Sequence, residues 1–213
     1  MDHGRSMAST RQPRQKRSMK TKRRILEAGV SLFAGRGYDA IHAGTIAERA
    51  GVAVGSFYAY FEDKHDLLIA AARDYVEKTE ALELAALGDL VQTGRADAVQ
   101  PAIRAFLTFS LANHRRDAAF LRELLRLAPR DPGLAEIIDS LDEQIRRALE
   151  NVLVELFSVP DRRARETAAV LYTVVEGVIH TLAFEPAKLD EQTAIETLVT
   201  MIADLIEALR IRE

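Results

Sequence analysis

The stretch that decides the fold is IAERAGVAVGSFYAYF, which runs from Ile46 to Phe61. A short helix is predicted from about Ala43 to Ala50, and Gly51 ends it because glycine readily adopts the left-handed conformation of a helix C-terminus. A second short helix is expected from about Val54 to Phe61. Two short helices joined by a three-residue turn with glycine are typical of a helix-turn-helix, whose second helix enters the major groove of DNA.

The second helix of this pair has an inner and an outer side. Phe57 and Phe61 are four residues apart and would anchor it to the core. With these two inward, the residues that point away from the core are small: Gly55, Ser56 and Ala59. Such a surface lets the backbone approach base edges, while Tyr58 and Tyr60 on the flanks can reach phosphates. The alternative is a small helical hairpin with two amphipathic surface tyrosines.

Helical signals continue on both sides of this stretch. A preceding helix is predicted to begin at Thr21, which can cap it, and to end at Gly35 and Gly37. Its apolar side comprises Ile25, Leu26, Gly29, Leu32 and Phe33. After Phe61, Asp63 is expected to cap a longer helix, with Asp66 in a capping-box-like position.

The rest of the chain reads as five or six longer helices separated by prolines. Apolar residues recur at spacings of three and four, for example from Leu134 to Leu156 and from Ile195 to Leu209. No alternating strand pattern and no internal repeat occurs. The predicted fold class is therefore all-α, with about nine helices.

Charge is distributed unevenly along the chain. Residues 1–24 contain nine Lys or Arg and one acid, whereas the remainder contains 20 basic and 31 acidic residues. A basic arm on an acidic body favours a polyanionic partner that is met at one end only. The alternative is a solvated tail, and residues 1–20 lack apolar periodicity and are predicted to be disordered.

Several function classes are disfavoured by composition. The chain has no cysteine, which excludes disulfides, thiolate metal sites and cysteine nucleophiles. No apolar run approaches the length of a membrane helix, and no secretory signal follows the N-terminal charges, so a cytoplasmic protein is expected. The five histidines show no metal-binding spacing such as His-x-x-x-His. We therefore expect no enzyme, no cofactor and no metal site.

Residues 21–68 resemble the DNA-binding domain of the TetR family of transcriptional regulators. The segments that carry the resemblance are ILEAGVSLFAGRGYDA, TIAERAGVAVGSFYAYF and EDKHDLL. The resemblance implies a homodimer, often a repressor that a small effector releases from DNA. By position it implies DNA contacts from one group of residues: Gly44, Thr45, Ser56, Tyr58, Tyr60 and Lys64, the last to a phosphate.

The chain departs from the family pattern at the starts of two helices. Ile41 and His42 stand where the family has Thr or Ser before its second helix. Ala53 and Val54 replace a Ser-Lys-like pair at the start of the recognition helix. These changes remove hydroxyl caps and a basic contact, which bears on the operator sequence more than on DNA binding itself.

We divide the chain into a basic arm (residues 1–20), a DNA-binding domain (residues 21–68) and an effector-binding and dimerisation domain (residues 69–213). In the last, polar residues interrupt apolar helical faces. The candidate effector-binding residues are Phe106, Ser110, His114, Tyr172, Glu176 and His180. One interpretation is that the polar side chains are hydrogen-bonded groups of the core or of a subunit interface. The other is that they orient an effector in a mainly apolar pocket.

The two C-terminal helices are expected to form the homodimer through a four-helix bundle. The helix from about Arg162 to Phe184 is apolar on several sides, so it must be buried on more than one. The candidate interface residues are Val174, Val178, Leu182, Leu198, Ile202 and Leu205. The competing interpretation of these helices is a monomer whose last helices complete its own core. For the whole chain, the alternatives are a helical small-molecule or lipid carrier with an incidental basic tail, and an architectural DNA-binding protein without a sensor, which the size and apolarity of residues 100–210 disfavour.

Overall fold

A computed structural model describes the backbone of residues 11–93 and 99–210, and the side chains of residues 17–88 and 99–209. Its described residues form nine α-helices and no strand, which confirms the all-α prediction. The helices are α1 (Arg11–Arg36), α2 (Ala43–Ala50), α3 (Val54–Tyr58), α4 (Lys64–Thr93), α5 (Val99–Arg116), α6 (Ala118–Leu127), α7 (Pro132–Phe157), α8 (Asp161–Phe184) and α9 (Glu191–Arg210). A short 3₁₀ turn, Ala128–Arg130, lies between α6 and α7.

Helix α1 begins earlier than the sequence indicated. It starts at Arg11, so residues 11–20 are helical and not the disordered arm that we expected there; residues 1–10 lie outside the described part of the chain. The hydroxyl of Thr21 donates to the carbonyl of Arg17 within this helix (3.0 Å) and does not cap it. Lys, Arg, Gln and Met are good helix formers, and extending an existing helix needs no new nucleus.

The chain divides into two compact units, Met1–Ala71 and Ala72–Glu213. The division falls within α4, three residues after the boundary drawn from the sequence. The first unit contains α1, α2, α3 and the first turns of α4. Its largest fully buried side chains are Phe33, Phe57, Ile25, Ile41, Ile46, Leu67 and Leu68.

Within the first unit, α1 and the start of α4 approach closely at Gly29. A Cβ atom at this position would lie 2.3 Å from Cδ2 of Leu67. Leu67 is fully buried and therefore has little freedom to move aside. The absence of a side chain at Gly29 thus sets the distance between the two helices.

In the second unit, α5, α7, α8 and α9 pack around one apolar core. Side chains from each of these helices are buried there, among them Leu107, Val152, Ile179 and Leu198. Helix α7 begins with a conventional cap, since the side chain of Asp131 accepts from the N–H of Leu134 (3.1 Å). The core positions the α5 and α8 residues whose polar groups are described below.

We predict that Gly29→Ala lowers the free energy of unfolding relative to Gly35→Ala. Gly29→Ala gains about 1 kcal/mol of helix propensity inside α1. Gly35→Ala gains no more than that, since Gly35 lies in the last turn, and a Cβ at Gly35 meets nothing within 4 Å. Their difference therefore isolates the contact with Leu67, for which overpacking costs about 1–3 kcal/mol. Urea denaturation of both variants measures it. Equal stabilities would show that α1 and α4 separate without cost.

Candidate nucleic-acid interface and ligand cavities

The turn between α2 and α3 has the geometry that Gly51 was predicted to supply. Gly51 adopts φ 63° and ψ 42°, in the left-handed region. Its N–H donates to the carbonyl of Glu48, and the N–H of Val52 donates to the carbonyl of Ala47, each at 3.0 Å. This pair of bonds is a Schellman motif, which satisfies the last carbonyls of α2 while it reverses the chain.

Arg24 of α1 reinforces the same turn. Its Nη2 atom donates to the carbonyls of Ala50 (2.5 Å) and Gly51 (3.4 Å). A Cβ atom on Gly51 would lie 2.8 Å from this nitrogen. Arg24 was counted with the basic arm in the sequence, where no local pattern distinguishes it, but its guanidinium holds the helix-turn-helix in place.

Helix α3 presents the side that the sequence predicted. Phe57 and Phe61 are buried, whereas Gly55 and Ala59 are exposed. Ser56 is half-buried, and 57% of Tyr58 is exposed. The helix ends at Tyr58 and not at Phe61, although the N–H groups of Ala59 and Phe61 still donate to Gly55 and Phe57.

The helix starts reflect the departures from the family pattern. The residues before α2 and α3 are His42 and Ala53, and neither side chain makes a capping hydrogen bond. Helix α4, by contrast, begins with the predicted cap: Oδ1 of Asp63 accepts from the N–H of Asp66 at 2.9 Å. Asp66 in turn accepts from the N–H of Glu62 (3.0 Å).

Two side chains that were predicted to contact phosphates make hydrogen bonds within the protein. The ammonium of Lys64 donates to the carbonyls of Tyr38 and Ile41, each at 3.0 Å, and lies 4.1 Å from the centroid of the Tyr38 ring. The Tyr60 hydroxyl hydrogen-bonds Oγ of Ser18 (3.1 Å). Lys64 therefore fixes the loop before α2, and one of its three N–H donors remains for another partner.

Positive charge from α1 lies beside this surface. The ammonium of Lys22 is 5.5 Å from the centroid of the Phe61 ring, and Ser18 meets Tyr60. Thr45 on α2 is half-buried and Gly44 is exposed. The part of α1 from Ser18 to Lys22 therefore flanks the end of the recognition helix, with one cationic side chain beside Phe61.

Two cavities lie in the second unit. The first, of about 70 Å³, is mainly apolar, and its walls include Ile103, Phe106, Leu149, Leu153, Phe157 and Val175. The second, of about 290 Å³, is more polar, and its walls include Tyr75, Thr79, His114, Asp142, Arg146 and His180. Four residues line both cavities: Glu83, Ile145, Tyr172 and Glu176.

All six candidate effector-binding residues line one of these cavities. Phe106 and Ser110 line the first, and His114 and His180 the second. Tyr172 and Glu176 line both. The sequence did not single out Glu83, Asp142 and Arg146, because polar residues on amphipathic helices usually face solvent and nothing in the local pattern marks these three. That the six bind an effector remains a prediction.

Glu176 sits between two imidazoles. Its Oε2 atom is 3.5 Å from Nε2 of His114 and 3.0 Å from Nε2 of His180. Burial alone would raise the pKa of Glu176, but hydrogen bonds from the two imidazoles lower it to about 2. Burial likewise opposes the charged form of His114, yet the hydrogen bond to Glu176 leaves the pKa of His114 raised. The cluster thus favours an ionised carboxylate.

Two further acids face the same space. Glu83 is 2% exposed, and its Oε1 atom has no hydrogen-bond partner among the described residues. Burial raises the pKa of Glu83. Asp142 accepts a hydrogen bond from the Tyr172 hydroxyl (2.6 Å), and burial raises the pKa of both groups. The polar cavity is therefore rich in carboxyl groups.

The candidate dimer residues separate into two groups. Leu182, Leu198 and Ile202 are no more than 9% exposed and belong to the core of their own chain. Val174, Val178 and Leu205 are only partly buried. The first three have little surface left for a partner, because the regular stripe that singled them out is the one that faces the core.

Apolar surface nevertheless remains on the outer sides of α8 and α9. Val170 is 61% and Met201 44% exposed. Together with Val174, Gly177 and Leu205 they form what we call the C-terminal apolar surface. Among the described residues, α8 is also the one helix long and apolar enough to cross a membrane, contrary to the expectation that no apolar run approaches that length. Of its most apolar 18 residues, 28% are buried.

Comparisons with known proteins agree with this architecture. Residues 25–71 match the family description "Bacterial regulatory proteins, tetR family", and residues 99–204 match "Tetracyclin repressor-like, C-terminal domain". The HTH-type transcriptional repressor KstR of Mycolicibacterium smegmatis is 40% identical over 60 residues, which are 28% of this chain and 29% of that protein. The match thus spans less than a third of that relative's length.

Similar folds occur in solved structures. A transcriptional regulator from Rhodococcus sp. RHA1 has a TM-score of 0.70 at 24% identity, over 90% of this chain and 99% of that one. The fatty acid degradation regulator FadR from Bacillus halodurans has a TM-score of 0.58 at 20% identity, over 87% and 94% of the two chains. At these identities the likeness concerns the fold alone.

Proposed function

The chain belongs to the TetR family of bacterial transcriptional regulators, and from this premise we propose that it is a repressor that binds a pseudopalindromic DNA operator as a homodimer. A small, mainly apolar effector would regulate this binding. The observation that carries the proposal is the helix-turn-helix, whose α3 presents a small-residue surface outward. Because the operator is chromosomal DNA, the site of action is the cytoplasm.

The outer side of α3 is suited to the major groove. Gly55, Ser56 and Ala59 add little bulk, so the helix backbone can approach base edges. Tyr58 projects from this side and can bond a phosphate. Thr45, Tyr60 and Lys64 lie at the periphery, where they position the motif and can contact the DNA backbone.

The exposed cations of α1 supply a sequence-independent contribution. Arg17, Lys20 and Lys22 are largely exposed along the N-terminal half of the helix. Each phosphate that such a residue neutralises releases a counterion, so affinity falls steeply with salt. This property distinguishes a DNA-binding regulator from a helical carrier with an incidental basic tail.

The C-terminal apolar surface supports a homodimer. Val170 and Met201 lie on two neighbouring helices and are strongly exposed. Burying them against a second copy of the chain would remove apolar surface from water. Gly177 would allow two copies of α8 to cross closely. Pairing two recognition helices at about 34–36 Å, or a multiple of it, converts two weak contacts into one specific one.

The cavities of the second unit support an apolar effector with a polar group. The first cavity is lined mostly by aliphatic and aromatic side chains, and Tyr172 and Glu176 line both cavities. An apolar body with one polar end would fit this division. A ligand held there contacts α4, which is the helix that runs into the DNA-binding unit.

We predict that Gly55→Leu abolishes specific DNA binding and leaves the fold intact. A Cβ at Gly55 meets nothing within 4 Å, so the side chain projects outward and blocks the approach to base edges. DNA flanking the protein's own coding region serves as the target in footprinting and mobility-shift assays. Gly88→Leu, an equally open position in the other unit, is the matched control and should bind normally. A normal footprint from the Gly55→Leu variant would show that α3 does not lie in the DNA interface.

We predict that Val170→Glu converts the dimer into a folded monomer. A carboxylate on an interface costs several kcal/mol when buried without a partner, but nothing in the monomer opposes it at a position 61% exposed. Sedimentation equilibrium gives the mass, and circular dichroism the helix content. Arg162→Glu also adds a carboxylate to α8, at an almost fully exposed site. It reverses a charge and breaks the ion pair with Glu166, a harsher change than Val170→Glu, and should nevertheless stay dimeric. A dimeric Val170→Glu variant would locate the interface elsewhere.

We predict that a short primary alcohol such as 1-propanol raises the Tm of the protein, and that Val175→Phe abolishes the increase. The added ring fills the apolar cavity of about 70 Å³, so the variant should be no less stable without ligand. Ligand at about 100 times its Kd adds about 2.7 kcal/mol. Thr200→Phe adds the same ring on the exposed side of α9 and should keep the response. An unchanged response in Val175→Phe would place the ligand outside this cavity.

A further inference from the structure

Three side chains with metal-binding atoms converge in the polar cavity: His114 from α5, and Glu176 and His180 from consecutive turns of α8. One ligand atom from each lies within 4.8 Å of the other two. We propose that these residues bind a divalent transition-metal ion of the zinc type inside the second unit. The site lies in the polar cavity, next to the apolar cavity proposed for the body of the effector, and Glu176 lines both.

The separations fit an ion of this size. A tetrahedral ion with bonds of about 2.0–2.1 Å holds its ligand atoms about 3.3 Å apart. Oε2 of Glu176 is 3.5 Å from Nε2 of His114 and 3.0 Å from Nε2 of His180. Glu176 and His180 are four residues apart and therefore share one side of α8. The two histidine nitrogens lie within 4.8 Å of each other, so they would have to approach to about 3.3 Å to bind one tetrahedral ion.

The orientation of His114 also fits a ligand. Its Nδ1 atom is 2.9 Å from the carbonyl oxygen of Ser110. Because a carbonyl only accepts, Nδ1 carries a hydrogen and the neutral ring has its lone pair on Nε2, which faces the Glu176 carboxylate. A lone pair opposite a carboxylate is unfavourable, so a cation must lie between them: either a proton on Nε2, as in the hydrogen bond described above, or a metal ion. Metal-bound histidines typically make this second hydrogen bond to a carbonyl.

The charges around the cluster favour a cation. Three carboxyl groups, from Glu83, Asp142 and Glu176, line the polar cavity, and Arg146 is the one guanidinium among its described walls. Glu83 is buried with an Oε1 atom that lacks a hydrogen-bond partner among the described residues. A divalent ion would compensate the charge of Glu176 and would favour ionisation of the other two acids.

The ligand set indicates the class of ion. Two imidazoles and one carboxylate suit Zn²⁺, Co²⁺, Ni²⁺ or Fe²⁺, whereas Mg²⁺ and Ca²⁺ prefer sites made of oxygen atoms. Three protein ligands leave a tetrahedral ion one further position. That position faces a cavity of about 290 Å³, so water or an oxygen atom of a small ligand can occupy it.

The competing interpretation is a network held together by protons alone, in which charged imidazoles pair with Glu176. The two are distinguished by titrating the untagged full-length protein, after treatment with a chelator, with Zn²⁺ in competition with a chromophoric chelator. Co²⁺ is titrated in parallel, since its visible spectrum reports coordination number. We expect one ion per chain, a four- or five-coordinate Co²⁺ spectrum, and no competition from millimolar Mg²⁺.

Variants locate the site. Loss of an outer-shell partner lowers metal affinity about 10–100-fold, so loss of a direct ligand in His180→Ala or Glu176→Gln should lower it by more than about 100-fold. His42→Ala removes an exposed histidine from the other unit and should leave affinity unchanged. Circular dichroism of each metal-free variant establishes whether it is folded. If Glu176→Gln does not fold, His180→Ala tests the site by itself, because His180 is partly exposed.

Two outcomes would overturn the proposal in favour of the proton-held network. One is a zinc affinity that is equal in wild type and His180→Ala, and the other is stoichiometric binding that His42→Ala removes. Neither DNA nor an organic effector enters the measurement. The metal titration therefore tests the metal site independently of the proposed repressor function.

Discussion

The left-handed turn at Gly51 is the constraint on which the candidate DNA surface depends. Its φ of 63° costs glycine little and other residues more. Arg24 adds a second reason, because its guanidinium occupies the space that a Cβ would need and binds the carbonyls at the end of α2. With this angle set, the burial of Phe57 and Phe61 determines which side of α3 faces outward.

The local parts of this arrangement could be predicted from sequence, because they depend on neighbours along the chain. Gly51, the Asp63 cap and the inward phenylalanines all follow from helix periodicity and terminal chemistry. The contacts of Arg24 and Lys64 could not be predicted, since each joins residues more than twenty positions apart. A cationic side chain looks the same in a sequence whether it meets a phosphate or a carbonyl of its own chain.

The second unit shows a different limit. Apolar periodicity reports that a helix side is covered, but not what covers it. Leu182 and Ile202 belong to the strongest stripes of α8 and α9, and the core of their own chain covers them. The surface left for a partner lies on the weaker flanks, at Val170 and Met201, where small and polar residues dilute the pattern. The sequence placed His114, Glu176 and His180 in one pocket, but it could not show that one ligand atom from each lies within 4.8 Å of the others, because His114 is on a helix distant in sequence.

Stability alone does not account for a carboxylate and two imidazoles inside this unit. Replacing a buried ionic group by well-packed apolar residues is often neutral or stabilising by about 1–4 kcal/mol, whereas removal of one partner costs about 3–5 kcal/mol. A cluster of this kind is therefore better explained by what it binds. Tyr172 and Glu176 line both cavities, so an occupant of either one changes the field in the other. Because coupling between two bound species is reciprocal, an ion at Glu176 and an effector beside Tyr172 would each alter the affinity for the other by the same factor.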